Sequence, residues 1–207
     1  MLFKVQRTSF LTAALAAVAM TLVLAGTASA AESWAVDNSH SEVSFSVKHF
    51  FTPVTGSFDN FDVSLDYDAD HPENSRVSAK IAVASIDTGN EQRDNHLRSA
   101  DWFEAEAHPY ITFSSTAVRA GGNGELIASG PLTIKGIGHE VELTVQPLGS
   151  KAIPEQMQQM IGAKEVAGFE ASTAIDRDDF EVGVGNWAAT AVVGGEISIE
   201  ILLEAHR

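Results

Sequence analysis

The segment NEQRDNHLRSADWF, residues 90–103, packs two arginines, a histidine and three acids into one short run that ends in two large aromatics. Two kinds of chemistry suit such a run. Arginine presents a planar fork of donors that matches a pyrophosphate, so Arg93, His96 or Arg98 could receive a polar head group. Alternatively, Arg93 and Asp94 tie a helical lid to neighbouring loops, and this second reading is favoured. Asp87 and Thr88 are good N-cap residue types, and Glu91 stands three residues after Thr88 as a capping box requires. A helix from about Asn90 to Arg98 is expected, with Leu97, Trp102 and Phe103 buried against a sheet. His49 is the other notable group. It is in phase with Val43, Phe45 and Val47, so it is expected to point inward, either as a satisfied core histidine or as a head-group contact beside Lys48.

Other constellations carry less. The seven histidines show no HExxH, HxH or cysteine-pair spacing, so no metal site is assigned. The many carboxylates leave adventitious cation binding open. GVGNWA at 183–188 matches a loose GxGxxA, but a dinucleotide site needs that pattern between a strand and a helix of a parallel unit. No GxSxG elbow and no phosphate-loop lysine is present. Asp178 and Asp179 are adjacent in a loop, a placement that faces solvent rather than flanking a substrate.

The elements that must position these groups are mostly strands. Val43–Phe45–Val47, Phe61–Val63–Leu65–Tyr67, Val77–Ala79–Ile81–Val83 and Ile197–Ile199–Ile201–Leu203 alternate with polar residues at the period of a half-buried strand. Ile111 and Phe113 start another. GGNGE at 121–125 and KGIGH at 135–139 read as tight hairpin turns. Residues 147–165 break the pattern and suggest a short amphipathic helix or a mobile loop. IDRDDFEVGVGNW makes a long irregular connection. About eight strands joined by hairpins, with one or two short helices, define an all-β chain that closes as a barrel or stacks as a sandwich. A barrel of about eight strands holds one small or elongated ligand.

Composition bounds the setting. Lys4 and Arg7, the apolar run from Phe10 to Ala25 and Ala28-Ser29-Ala30 read as a secretory signal, with cleavage expected after Ala30. A periplasmic address and no stable membrane insertion after cleavage follow. The rest of the 207-residue chain suits one domain, and it contains no cysteine to staple it. The formal net charge of −15 disfavours nucleic acid and anionic surfaces as partners.

DNSHSEVSFSVKHF, GSFDNF, SIDTGNEQRDNHLRSADWF, HPYITFSST, GPLTIKGIGHEVEL and DRDDF occur in this order. In these blocks the chain resembles the YceI-like family of secreted bacterial proteins across the whole mature sequence. The resemblance implies an extended, lipocalin-like, eight-stranded antiparallel β-barrel. It also implies a long apolar cavity for a polyisoprenoid, such as a ubiquinone-like tail or a prenyl pyrophosphate, held non-covalently by a binder rather than an enzyme. Members of the family can form homodimers. One departure stands out: Glu181 occupies the place after the R–x–D–F run where the family tends to have glycine.

The expected cavity wall comprises Phe45, Val47, Phe58, Phe61, Val63, Ile81, Val83, Trp102, Phe113, Ile134, Leu143 and Phe169. Lys48, His49, Arg93 and His96 are the head-group candidates. The expected function is a periplasmic isoprenoid-lipid carrier. The rivals are an enzyme acting on an isoprenoid or quinone, with His49 or His96 as acid–base, and a ligand-free stress-response domain with a filled core. Whether the interior is hollow or filled is not decided by the residues alone.

Overall fold

Alternating apolar and polar residues place one face of each strand in a common interior, and Gly-containing turns reverse the chain between them. The computed structural model describes residues 31–189 and 191–207; the leader expected from the sequence lies outside the described residues. In chain order the elements are β1 (Glu32–Val36), β2 (Glu42–His49), β3 (Thr52–Phe58), β4 (Phe61–Tyr67), β5 (Arg76–Ala82), β6 (Ile86–Asp87), α1 (Glu91–Arg98), β7 (Tyr110–Ser114), β8 (Ala117–Ala120), β9 (Leu126–Ile134), β10 (Ile137–Ala152), α2 (Glu155–Ile161), β11 (Glu165–Asp176) and β12 (Val193–His206). Among the described residues, no helix is long and apolar enough to cross a membrane.

All strand pairings are antiparallel. The ring runs β1-β4-β5-β7-β9-β10-β11-β12 and closes where β12 meets β1, with Ala35 opposite His206 and Val36 opposite Ala205. Eight strands therefore form the barrel, as expected. β2 pairs with β12 beyond the β1 contact and carries β3 and β6 with it, while β8 adds to β9. Closure removes the exposed strand edges that would otherwise template aggregation.

Both expected hairpins form. Lys135 and Gly136 both take positive φ, 51° and 75°, in a two-residue turn that sets Ile134 opposite Ile137. Asn123 and Gly124 do the same work in the 121–125 turn, at 54° and 84°. The irregular 147–165 region resolves differently from either expectation taken alone. β10 runs on to Ala152 and pairs with β11 from Glu165, and α2 caps the excursion with Pro154 before it and Gly162 in the left-handed region after it.

Two apolar clusters pack inside the barrel. Phe58, Phe61, Val83, Ile86, Trp102, Phe180 and Val182 belong to the larger cluster, whereas Trp34, Leu65, Ala167, Phe169 and Ala205 form the smaller. Val193 and Gly194, at the start of β12, bond to the Arg177 guanidinium, while Ala205, near its end, lies in the smaller cluster. The two ends of β12 thus meet different sets of residues.

Candidate functional site

Inside the barrel lies a cavity of ≈ 230 Å³ with almost no polar lining. It extends from Tyr67, Phe169 and Leu203 to Trp102, Arg177, Phe180 and Val193. Val193 to Leu203 spans about 30 Å of strand at roughly 3.3 Å per residue, so the space is elongated along β12. The inward residues along β2, β11 and β12 are only half-buried although they face the interior: Phe45, Val47, Ala171, Thr173, Ile175, Ile197, Ile199 and Ile201. Residues of a filled core would have no such residual accessible surface. The interior is hollow on this side. Its volume is well above the roughly 10–15 Å³ that one water needs, and an apolar cavity of about 150 Å³ can stay dry and take up an apolar solute.

Strand periodicity builds the wall. Phe169, Ala171, Thr173 and Ile175 alternate inward along β11, and Ile197, Ile199, Ile201 and Leu203 along β12. Gly56 lets the Phe45 ring lie flat across β3, since a Cβ there would come within 2.6 Å of the ring tip. Phe45 and Phe58 then pack at 5.7 Å between centroids, and Phe58 meets Phe103 edge-on at 6.3 Å.

Of the expected wall, Phe45, Val47, Phe58, Val63, Ile81, Trp102, Phe113, Ile134, Leu143 and Phe169 line the cavity. Phe61 and Val83 do not. β5 stops at Ala82, and a 3-10 turn over Val83–Ser85 takes Val83 out of the strand phase into the packed cluster beside Phe58 and Ile86. Phe61 opens β4 and is buried in that same cluster.

The head-group candidates are placed elsewhere. His49 is in phase with Val47 but exposed: it is the last residue of β2, paired with Thr52 on β3 and with Val193 at the irregular start of β12. There it stacks edge-on against Phe50 at 4.9 Å, and Lys48 is exposed beside it. The expected inward direction of His49 is therefore corrected: at the end of β2, where the pairing with β12 shifts register, the ring is exposed. His96 shares a hydrogen bond of 3.3 Å with Asp101 and packs against the Trp187 ring at 4.8 Å.

The segment from Asn90 to Phe103 is a built lid. Its N-cap is Asn90, whose side chain accepts from Arg93 N at 3.0 Å, rather than Asp87 or Thr88. Thr88 serves as the centre of a network instead. Arg93 Nε donates to Thr88 Oγ1 at 2.7 Å and a terminal nitrogen to Thr88 O at 2.8 Å, and the Thr88 hydroxyl and amide both donate to buried Asp94. Arg98 donates to Ala84 O at 2.9 Å and Ile86 O at 2.6 Å. These bonds direct both guanidinium groups at protein carbonyls and the Thr88 hydroxyl, not at the cavity.

The polar residues on the wall that were not among the expected site residues are Ser44, Tyr67, Ser75, Arg76, Thr173 and Arg177. Arg177, 2% exposed, opens the 3-10 turn just past β11, two residues after inward Ile175, and lines the cavity with Trp102, Phe180 and Val193. Its side chain donates to five carbonyls, those of Val182, Gly183, Trp187, Val193 and Gly194, at 2.7–3.3 Å, and pairs with Asp178 at 3.0 Å. The same i+2 counting that marks Phe169 to Ile175 would have found it. Tyr67 and Arg76 stand at the other end of the cavity. Burial pushes the Tyr67 phenol above its ordinary value, with Asp68 and Asp70 adding to the effect, so it stays neutral. Trp102 Nε1 is buried without a hydrogen-bond partner among the described residues.

Comparison with known proteins follows the same lines. The family model described as a YceI-like domain matches residues 34–205. The chain is 33% identical over 190 residues to a UPF0312 protein of Ectopseudomonas mendocina, covering 90% of this chain and 96% of that one. It is 34% identical over 165 residues to Protein YceI of Escherichia coli O157:H7, covering 79% and 82%. The crystal structure of Burkholderia cenocepacia BcnA superposes with a TM-score of 0.74 at 29% identity, over 82% of this chain and 98% of that one. A polyisoprenoid binding domain from Saccharophagus degradans shares the fold, with a TM-score of 0.61 at 14% identity over 85% and 98%. A closed antiparallel barrel with an apolar interior, matched over nearly its full described length, places this chain in the YceI-like domain family.

Proposed function

We propose that this protein is a secreted, periplasmic binding protein that carries a polyisoprenoid lipid, of the quinone or prenyl-pyrophosphate type, inside its barrel and does no chemistry on it. The observation that carries the reading is the elongated, almost wholly apolar cavity inside the barrel. Transfer of a prenyl chain from water into such a space gains about 0.8 kcal/mol per buried CH₂, less the cost of ordering the chain. Arg177 directs its N–H groups at carbonyls, so the polar groups that could meet a head group are the unpartnered Trp102 indole N–H at one end, neutral Tyr67 at the other and Thr173 on β11 between them. Shape and apolar area select the tail, and these groups orient the head. The polyisoprenoid-binding domain that shares the fold and the apolar leader of residues 1–30 support the ligand class and the export route respectively.

The test is uptake of a prenylated quinone and of a prenyl pyrophosphate by the purified protein, read by native mass spectrometry, beside the variant Ala171→Phe. Ala171 faces the cavity from β11, and a benzyl group there fills part of the space. One lipid per chain in the parent, reduced at least ten-fold in a variant that still melts cooperatively, is expected. A parent that takes up neither lipid, or a variant that binds as well as the parent, would overturn the reading. Export is checked separately by N-terminal sequencing of protein from the periplasmic fraction, where a start at Ala31 is expected.

A further inference from the structure

Two imidazoles and two carboxylates meet on the outside of the barrel seam, away from the cavity. Asp37 and His40 belong to the corner between β1 and β2, and Glu204 and His206 to the last turn of the pleat on β12. His40 Nδ1 lies 2.8 Å from Asp37 Oδ2 and 3.8 Å from Glu204 Oε1, and His206 Nε2 lies 3.1 Å from Glu204 Oε1. Asp37, Glu204 and His206 each offer one ligand atom within 4.8 Å of the others.

We infer that Asp37, His40, Glu204 and His206 form a binding site for a transition-metal dication of the zinc class. Several features converge on that chemistry. A tetrahedral ion with bonds of about 2.0–2.1 Å spaces its ligand atoms about 3.3 Å apart, within the 2.8–3.8 Å range of the His40–Asp37, His40–Glu204 and His206–Glu204 pairs. Neutral imidazole with carboxylate suits zinc, nickel or cobalt, whereas magnesium and calcium take all-oxygen sites. Among the described residues, neither carboxylate has a lysine or arginine partner. Arg207, the nearest fixed cation along the strand, is taken up by Glu32 and Glu165. On β11 the residues opposite His206 and Glu204 are Val166 and Gly168, which add no competing charge.

The backbone holds the donors in place without an ion. Asp37 N donates to Glu204 O at 2.9 Å, Glu204 N donates to Ser41 Oγ at 3.0 Å, and Ser41 Oγ donates to Asp37 O at 2.7 Å. The His40 ring bonds Asp37, and Asp37 in turn caps the 3-10 turn Asn38–His40. The ion would join the first strands to the last one at the seam that closes the barrel, in a chain with no disulfide to do so.

The experiment is calorimetric titration of the purified full chain with zinc chloride at pH 7.5, with magnesium and calcium chlorides as controls. Zinc-edge X-ray absorption of the loaded protein identifies the ligands. One zinc per chain, two imidazoles in the first shell, and at least ten-fold weaker binding in both Asp37→Asn and His206→Gln are expected. His71→Ala, at an exposed histidine–carboxylate pair elsewhere on the surface, is expected to bind as the parent does. His206→Gln keeps a polar side chain of similar size, so a folded variant is available if Asp37→Asn unfolds the corner. No stoichiometric binding, fewer than two imidazoles on the ion, or undiminished binding in His206→Gln would reduce the cluster to a pair of hydrogen-bonded ion pairs at the seam.

Discussion

Single residues show how this chain handles charge near an apolar interior. Arg177 ends the inward row of β11, yet its five N–H groups all meet carbonyls of the 182–194 segment, which spares the buried cation an unpaired donor. Glu181 is the adjoining departure from the family pattern. It adopts φ 53°, the left-handed conformation that glycine reaches without strain, and its carbonyl accepts from Lys135 Nζ at 2.8 Å. Because that bond uses the backbone, Glu181→Gly retains it and removes the strain. The expected outcome in urea unfolding is stabilisation of up to about 1 kcal/mol, part of the relief being offset by the freer unfolded chain. A midpoint that falls would mean the Glu181 side chain holds the loop.

At the level of elements, the lid explains the residues that drew attention first. Arg93, Asp94 and Arg98 secure α1 to Thr88, Ala84 and Ile86, and that framework keeps Leu97, Trp102 and Phe103 on the cavity wall. Asp94→Ala strands the Thr88 amide and removes the acceptor of its hydroxyl. The expected cost is about 1–3 kcal/mol, with hydrogen exchange rising first in α1 and β6 rather than in β9 or β10. Uniform loss of protection across the barrel would show that the lid is part of the global folding unit instead of a locally opening one.

For the whole molecule, the hollow interior ties stability to cargo. A ligand that binds the native state alone adds about 2.7 kcal/mol at a hundred times its dissociation constant. For a domain of this size that corresponds to a rise in melting temperature of roughly 5–10 °C. Loading with a prenylated quinone should produce such a rise in the parent and none in Ala171→Phe. An unchanged melting temperature at saturating lipid would place the lipid on the surface. Zinc should raise the melting temperature independently of lipid, since the seam and the cavity share no donor.

The strand phases, both tight hairpins, the helix at 91–98 and most of the cavity wall were legible in the sequence, because two-residue alternation and turn chemistry act over a few neighbours. Tertiary structure decided the rest. His49 shares the phase of Val47 but is exposed at the last position of β2, where the pairing with β12 shifts register, so phase alone did not set where its side chain ends up. Val83 left its row when a 3-10 turn replaced the expected strand. Arg177 joined the wall because β11 carries its inward row into what reads as a loop. Asp37 and Glu204 meet only through closure of the first strand on the last, a contact across nearly the whole chain that no local spacing encodes. Whether the inward apolar rows fill a barrel or leave room inside depends on the radius that eight paired strands impose, and that is a property of the closed ring rather than of any one strand.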